Sequence, residues 1–259
     1  MAEPFLTARW RHLVMLNYRV DPALLADRVP AGTALDPEGG DHWVSLVGFL
    51  FLDTALLGLP VPLHRNFEEV NLRFYVAREV PDEARGLPRR RGVAFIKELV
   101  PKPAIATVAR VVYNENYVAV PMDHRLLYDG RRLPSDSELI AGTRVEYDWG
   151  HGARQGRLAG TVSGHPALPE PGSHAHFITE HYWGYAAQRD GGTVEYEVDH
   201  PAWRTWIARA PTFHANIEQL YGPEWRDVLS GEPDSAFIAE GSEVTVFKGR
   251  RMAAEEIAG

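Results

Sequence analysis

Residues 66 to 76 read NFEEVNLRFYV. From Glu69 onward polar and apolar side chains alternate, so Glu69, Asn71 and Arg73 share one side of an extended chain while Val70, Leu72 and Phe74 share the other. That period is the mark of a β-strand with unlike faces. A carboxylate, an amide and a guanidinium in one row make a ligand-binding surface if the row faces the inside of a closed sheet. If the row faces water, it is a solvated face or a Glu69–Arg73 ion pair. Alternation alone does not separate these two cases.

The rest of the chain supports a strand-rich reading. Its 23 Gly and 19 Pro punctuate short apolar runs, a pattern of many short strands rather than long helices. Strands are expected at Leu13–Val20, Trp43–Leu52, Glu69–Ala77, Val93–Val100, Thr143–Trp149, Gly156–Ser163 and Ser242–Lys248. His151-Gly152 reads as a hairpin connection. In Val194–Val198 the apolar side chains share one face and Glu195 and Glu197 the other. The Asp190-Gly191-Gly192 turn joins that strand to the aromatic segment His181–Ala187. Helices are few: a short one capped by Asp21-Pro22, one over Ala104–Tyr113, and one over Thr212–Tyr221 stopped by Gly222.

Composition narrows the function classes. At 259 residues, 45% hydrophobic and 24% charged, the chain can bury a sizeable core and is not of disordered type. A formal charge of −8 argues against a polyanion partner, and Arg89–Arg91, set between Pro88 and Gly92, reads as a solvated loop. Cysteine is absent, which removes disulfides, thiolate nucleophiles and Cys-based metal centres and suits a cytoplasmic location. The N-terminus lacks a secretory pattern. The long apolar stretch Trp43–Leu63 is broken by Gly48, Asp53, Gly58, Pro60 and Pro62, so it is expected as strand and loop rather than a membrane span. Walker, Rossmann, HExxH and Gly-x-Ser-x-Gly patterns are missing. No spacing among the eleven histidines, including His174, His176 and His181, unites three on one face. Neither a metal nor another cofactor is expected.

The segment with most chemical interest is VAFIKELVPKP, Val93 to Pro103. A lysine amine held against hydrocarbon loses its charge more readily and becomes nucleophilic. On a regular strand Lys97 shares a face with Val93, Phe95 and Leu99, and Glu98 shares the other with Ala94, Ile96 and Val100. A second rich segment is Glu180-His181-Tyr182-Trp183, in which Glu180 or His181 is a candidate general acid or base and the aromatics a ligand wall. Packing is the simpler account of those aromatics.

Four segments resemble the YqjF-like bacterial family: Tyr18-Arg-Val-Asp-Pro22 with Val29-Pro30, Asn66–Val76, Thr179–Tyr185, and Ala239–Ser242. The resemblance runs from about Phe5 to Lys248, nearly the whole chain. That family is similar in fold to acetoacetate decarboxylase. The resemblance therefore implies a β-rich α+β chain, one domain over residues 1–259, built as an antiparallel β-cone or barrel around a pocket with a few short helices. It also implies Schiff-base chemistry. Lys97-Glu98-Leu99 followed by Pro101-Lys102-Pro103 is similar to the decarboxylase's nucleophile segment and puts Lys102 at the nucleophile position. Pro103 departs from it, standing where a second, activating lysine belongs. Arg11 falls at the position of the carboxylate anchor, and Glu69 aligns loosely with a pocket carboxylate.

The expectations are then as follows. Lys102, Glu98 and Lys97 are the catalytic candidates, and Arg11, Glu69, Asn71, Arg73, Glu180 and Tyr182 the substrate-binding ones. The expected ligand is a small carboxylate or keto acid. Nucleic acid and membrane are not expected partners, and assembly into a homo-oligomer stays open. Three functions remain: a decarboxylase-type lyase, a non-catalytic binding protein on the same fold, and a structural or interaction protein without a ligand.

Overall fold

A computed structural model describes residues 3–60, 65–101, 116–152 and 155–258. The first half carries β1 (Pro4–Val20), β2 (Ala34–Leu35), β3 (His42–Leu56), β4 (Leu59–Pro60), β5 (Phe67–Arg78) and β6 (Arg90–Val100). Next come β7 (Tyr117–Ala119), β8 (Met122–Tyr128), β9 (Arg131–Leu133), β10 (Arg144–Trp149) and β11 (Gly156–Ala167). The short helix α1 (His174–Thr179) leads into β12 (Trp183–Ala187), β13 (Thr193–Asp199) and β14 (Thr205–Ala215). Helices α2 (Ile217–Leu220) and α3 (Arg226–Leu229) precede β15 (Ser235–Phe247), β16 (Arg250–Arg251) and α4 (Ala254–Ala258).

The sheet closes in a ring. Hydrogen-bonded neighbours run β13-β12-β6-β5-β3-β1-β15, and β13 then pairs with β15 through Val198↔Val246 and Asp199↔Thr245. Most pairings are antiparallel, whereas β12 meets β6 in parallel through Trp183↔Gly92 and Gly184↔Val93. Beyond β15 the sheet continues through β14, β11, β10 and β8 to β9. This second part packs on the outside of the ring, where the Tyr147 hydroxyl donates to the His12 carbonyl at 2.9 Å. Gly48 on β3 permits that approach, since a Cβ there would lie 2.7 Å from the Tyr147 ring and 2.9 Å from Leu158.

Among the described residues two large apolar cores result, beside a small cluster of Ala186, Tyr196 and Val198. One fills the space between the layers with Val14, Leu16, Leu46, Leu72, Phe74 and Tyr147. The other lines the ring interior with Leu13, Met15, Val47, Phe49, Phe51 and Val93. Burying each such side chain stabilises the fold by roughly 1.5–3 kcal/mol. Both faces of β1, β3 and β5 are therefore covered.

The expected strands are present, several of them longer than their sequence pattern. Asp21 caps the turn after β1 as expected, accepting from the Ala23 amide at 2.9 Å, but the segment forms two 3₁₀ turns rather than an α-helix. Thr212–Tyr221 is a correction. Thr212–Ala215 belongs to β14, paired with β11, and helix starts only at Ile217, after Asn216 accepts from the Gln219 amide. Cross-strand pairing outcompetes the helical spacing there. The expected helix Ala104–Tyr113 lies outside the described residues. No helix among the described residues is long and apolar enough to cross a membrane.

Candidate functional site

Inside the ring is a cavity of about 300 Å³. The row that opened the sequence reading faces it: Glu69, Asn71 and Arg73 of β5 all line the space, and Glu98 of β6 lines it beside Asn71, its register partner. Glu69 is 3% exposed, Asn71 2% and Glu98 1%. The Asn71 amide donates to Glu69 Oε1 at 2.9 Å. Arg73 donates to the Ile178 carbonyl at 3.2 Å and sits over the Tyr75 ring at 5.7 Å. Among the described residues Arg73 makes no ion pair, and its Nε–H has no acceptor. The expected alternative of a Glu69–Arg73 ion pair is not formed.

Two bulges decide which side chains reach the cavity. In β6 the register passes from Leu72↔Lys97 to Arg73↔Phe95, leaving Ile96 without a partner. An extra residue reverses the facing of everything beyond it. Val93 and Phe95 face the cavity before the bulge and Glu98 after it, whereas Lys97 turns to the opposite side and donates to the Leu220 carbonyl. This corrects the regular-strand expectation for Lys97 as a catalytic residue. In β1, His12 takes a left-handed conformation (φ 60°) within the irregular register between Arg11 and Val14. Trp10 and Leu13, three apart, both line the cavity, and Arg11 does not. Arg11 stands instead near Glu240, whose carboxyl is held low first by Arg204 and then by Arg11. The expectation of Arg11 as carboxylate anchor is thus corrected, and Arg73 is the guanidinium on the cavity wall.

The 179–183 segment sorts by alternation. Thr179, His181 and Trp183 line the cavity, while Glu180 and Tyr182 do not. The Tyr182 hydroxyl donates to Glu180 Oε2, and its ring stacks on His200 at 4.8 Å, so this pair braces the wall from behind. That corrects their assignment as substrate-binding residues. Burial pushes the His181 pKa down to about 3, so its ring is neutral; it lies 3.7 Å from Asp36 Oδ2, and neither ring nitrogen has a hydrogen-bond partner among the described residues. His200 also lines the cavity, with its pKa lowered by burial and its ring stacked on Trp203 at 4.1 Å. Sequence reading missed His200. Extending the Tyr196, Val198 alternation by one more step would have found it. Lys102 lies outside the described residues.

Away from the cavity, histidines act as tethers. His124 Nδ1 donates to Glu68 at 2.6 Å while Nε2 takes the Ser135 hydroxyl at 2.7 Å. His174 joins Glu38 and Ser235, and Ser235 also accepts from Asn17 at 2.9 Å. His174 and His181 therefore serve different places. Glu68, Asp123 and His124 bring ligand atoms within 4.8 Å of one another, but Asp123 is exposed and paired with Arg132 at 3.0 Å.

The chain is a closed, strand-rich ring with a polar row on its cavity wall, a fold similar to that of acetoacetate-decarboxylase-like proteins. Within that class, a family model described as an uncharacterized conserved protein, DUF2071, matches residues 7–243, and the chain belongs to that family. The uncharacterized protein YqjF of Bacillus subtilis (strain 168) is 35% identical over 68 residues, which span 26% of this chain and only 28% of YqjF. Among solved structures, the enduracididine biosynthesis enzyme MppR complexed with pyruvate superposes with a TM-score of 0.65 at 15% identity, covering 98% of this chain and 93% of MppR. Acetoacetate decarboxylase from Legionella pneumophila gives a TM-score of 0.62 at 13% identity, covering 97% and 88%. These likenesses bear out the family and fold expected from the sequence motifs. At such identities they speak for the fold alone.

Proposed function

We propose that the cavity binds a small carboxylate or keto acid, with Arg73 as the carboxylate anchor and Lys102 as a Schiff-base nucleophile. The observation that carries this reading is Arg73, a half-buried guanidinium facing the cavity without an ion-pair partner among the described residues. A planar fork of donors is matched by a carboxylate, and burial strengthens the attraction. MppR, similar in fold, is seen with pyruvate, which agrees with a keto acid as ligand. In the catalytic version the lysine amine condenses with the ketone carbonyl and releases water. When the substrate is a β-keto acid, the bond to the carboxylate then breaks, carbon dioxide leaves, and the electron pair moves into the protonated imine as an enamine. Glu98 or Glu69 delivers the proton to carbon, and water restores the amine.

A second reading keeps the pocket without the amine chemistry. Pro103 favours it, because the neighbouring cation that would activate Lys102 is replaced by an imino acid. One experiment separates the two. The chain's lysines are Lys97, Lys102 and Lys248, so borohydride reduction with acetoacetate or pyruvate followed by mass mapping has few possible outcomes. An adduct on Lys102 is expected. Saturable binding of the keto acid without an adduct selects the non-catalytic reading, and neither adduct nor binding sinks both. Arg73→Met should weaken carboxylate binding by roughly ten- to a hundredfold, the weight of a charge-assisted hydrogen bond.

A further inference from the structure

The cavity has two unlike walls. Most of its polar groups gather on β5, β6 and the α1–β12 segment. Adjoining them, with Phe67 on β5 itself and Phe49 paired to Glu69, Trp10, Phe49, Phe51, Phe67 and Trp203 form a continuous aromatic surface. Trp10 meets Phe49 edge-on at 5.1 Å and Trp203 at 6.1 Å, Phe49 meets Phe51 at 5.2 Å, and Phe51 stacks on Phe67 at 4.5 Å.

The strand register places these surfaces along one axis. Phe49 lies opposite Glu69 and Phe51 opposite Phe67. From Arg73 to the Glu69–Phe49 level is four residues along β5, about 13 Å of strand. Phe67 is a further step in the same direction. A keto acid the size of pyruvate, held at Arg73, reaches only the near part of this axis. Such a ligand makes no dispersion contact with the aromatic surface beyond. An apolar wall of this kind favours an apolar guest.

We propose that the natural ligand is a monocarboxylate with an extended apolar body, aryl or medium-length alkyl, whose head group lies at Arg73 and whose body runs along the Trp10–Phe49–Phe51–Phe67 wall. This rests on the reading of the cavity as a carboxylate site and adds the class of acid it takes. The polar row orients the head group, and the aromatic wall selects the body.

Titration of the full chain, followed by calorimetry and by tryptophan fluorescence, tests it with pyruvate, phenylpyruvate, hexanoate, octanoate and octanol. Phenylpyruvate and octanoate should bind at least tenfold more tightly than pyruvate. Affinity should rise about fourfold per methylene from hexanoate to octanoate. Octanoate should exceed octanol by tenfold or more, and Arg73→Met should erase that preference while still binding octanol, which also shows that the variant is folded. Phe51→Leu should weaken octanoate severalfold more than it weakens pyruvate. Equal affinities for pyruvate and phenylpyruvate with no gain per methylene would overturn the apolar body and leave the carboxylate site standing. Octanol binding as well as octanoate would instead remove the carboxylate site.

Discussion

A neutral imidazole enclosed in the cavity wall ties the stability of this protein to pH. His181 has a folded pKa of about 3 against an ordinary value of 6.5, and His12, also buried, about 4. Because the folded values lie below the unfolded ones, the unfolded chain binds more protons as pH falls from 6.5. Stability is therefore complete above that pH and lost below it. Each histidine contributes at most about 1.4 kcal/mol per pH unit. Urea unfolding of the parent at descending pH should show this loss, and His181→Phe should make it shallower. An unchanged slope would mean that the ring is not enclosed in the folded state.

At the scale of elements, the bulges in β1 and β6 do what composition does not announce. Alternation in Glu69–Phe74 and Val194–Val198 was readable because every residue there keeps the regular period and carries unlike chemistry on its two faces. His12 and Ile96 gave no such signal. His12 takes a left-handed conformation without being glycine, and Ile96 is a good strand former that happens to lack a partner. Alternation left open which of Lys97 and Glu98 faces the pocket, and Arg11 rested on the resemblance alone; Trp10 and Glu98 hold the cavity positions. The bulge suggests a direct check. Deleting Ile96 removes the unpaired residue and keeps both Leu72↔Lys97 and Arg73↔Phe95. Such a variant should fold with Glu98 still inward, losing about 1.5–3 kcal/mol of outer-core burial and retaining carboxylate binding. Loss of the fold would show that the extra residue is needed for the bend of β6 and not merely accommodated.

At the scale of the molecule, ring closure depends on side chains that the sequence places far apart. Glu195, 1% exposed, receives Arg78 at 3.0 Å, Arg90 at 3.2 Å and also Arg250. Arg85 ties Glu197 at 2.9 Å and Asp199 at 2.9 Å. The two carboxylates on the outer face of Val194–Val198 could be assigned to one face from alternation, but their arginines come from distant segments and no local pattern announces them. Removing one partner from a buried ion-pair cluster costs about 3–5 kcal/mol. Glu195→Gln should therefore lower the unfolding midpoint in urea strongly, while exposed pairs such as Arg204–Glu240 should contribute little.

The β12–β13 hairpin then has a significance beyond closing the circle. Its backbone joins the rest of the ring through Trp183↔Gly92 and Gly184↔Val93 on one side and Val198↔Val246 and Asp199↔Thr245 on the other. It also supplies Trp183, Tyr196 and Val198 to the cavity. These two-pair seams are the shortest in the ring, although β13 is also paired with β16 through Val194↔Arg251 and Glu195↔Arg250. Few ladder bonds would have to break for this hairpin to open locally. Its amides should exchange with deuterium before those of β1 and β3, faster still in Glu195→Gln, and more slowly once a ligand fills the space behind it.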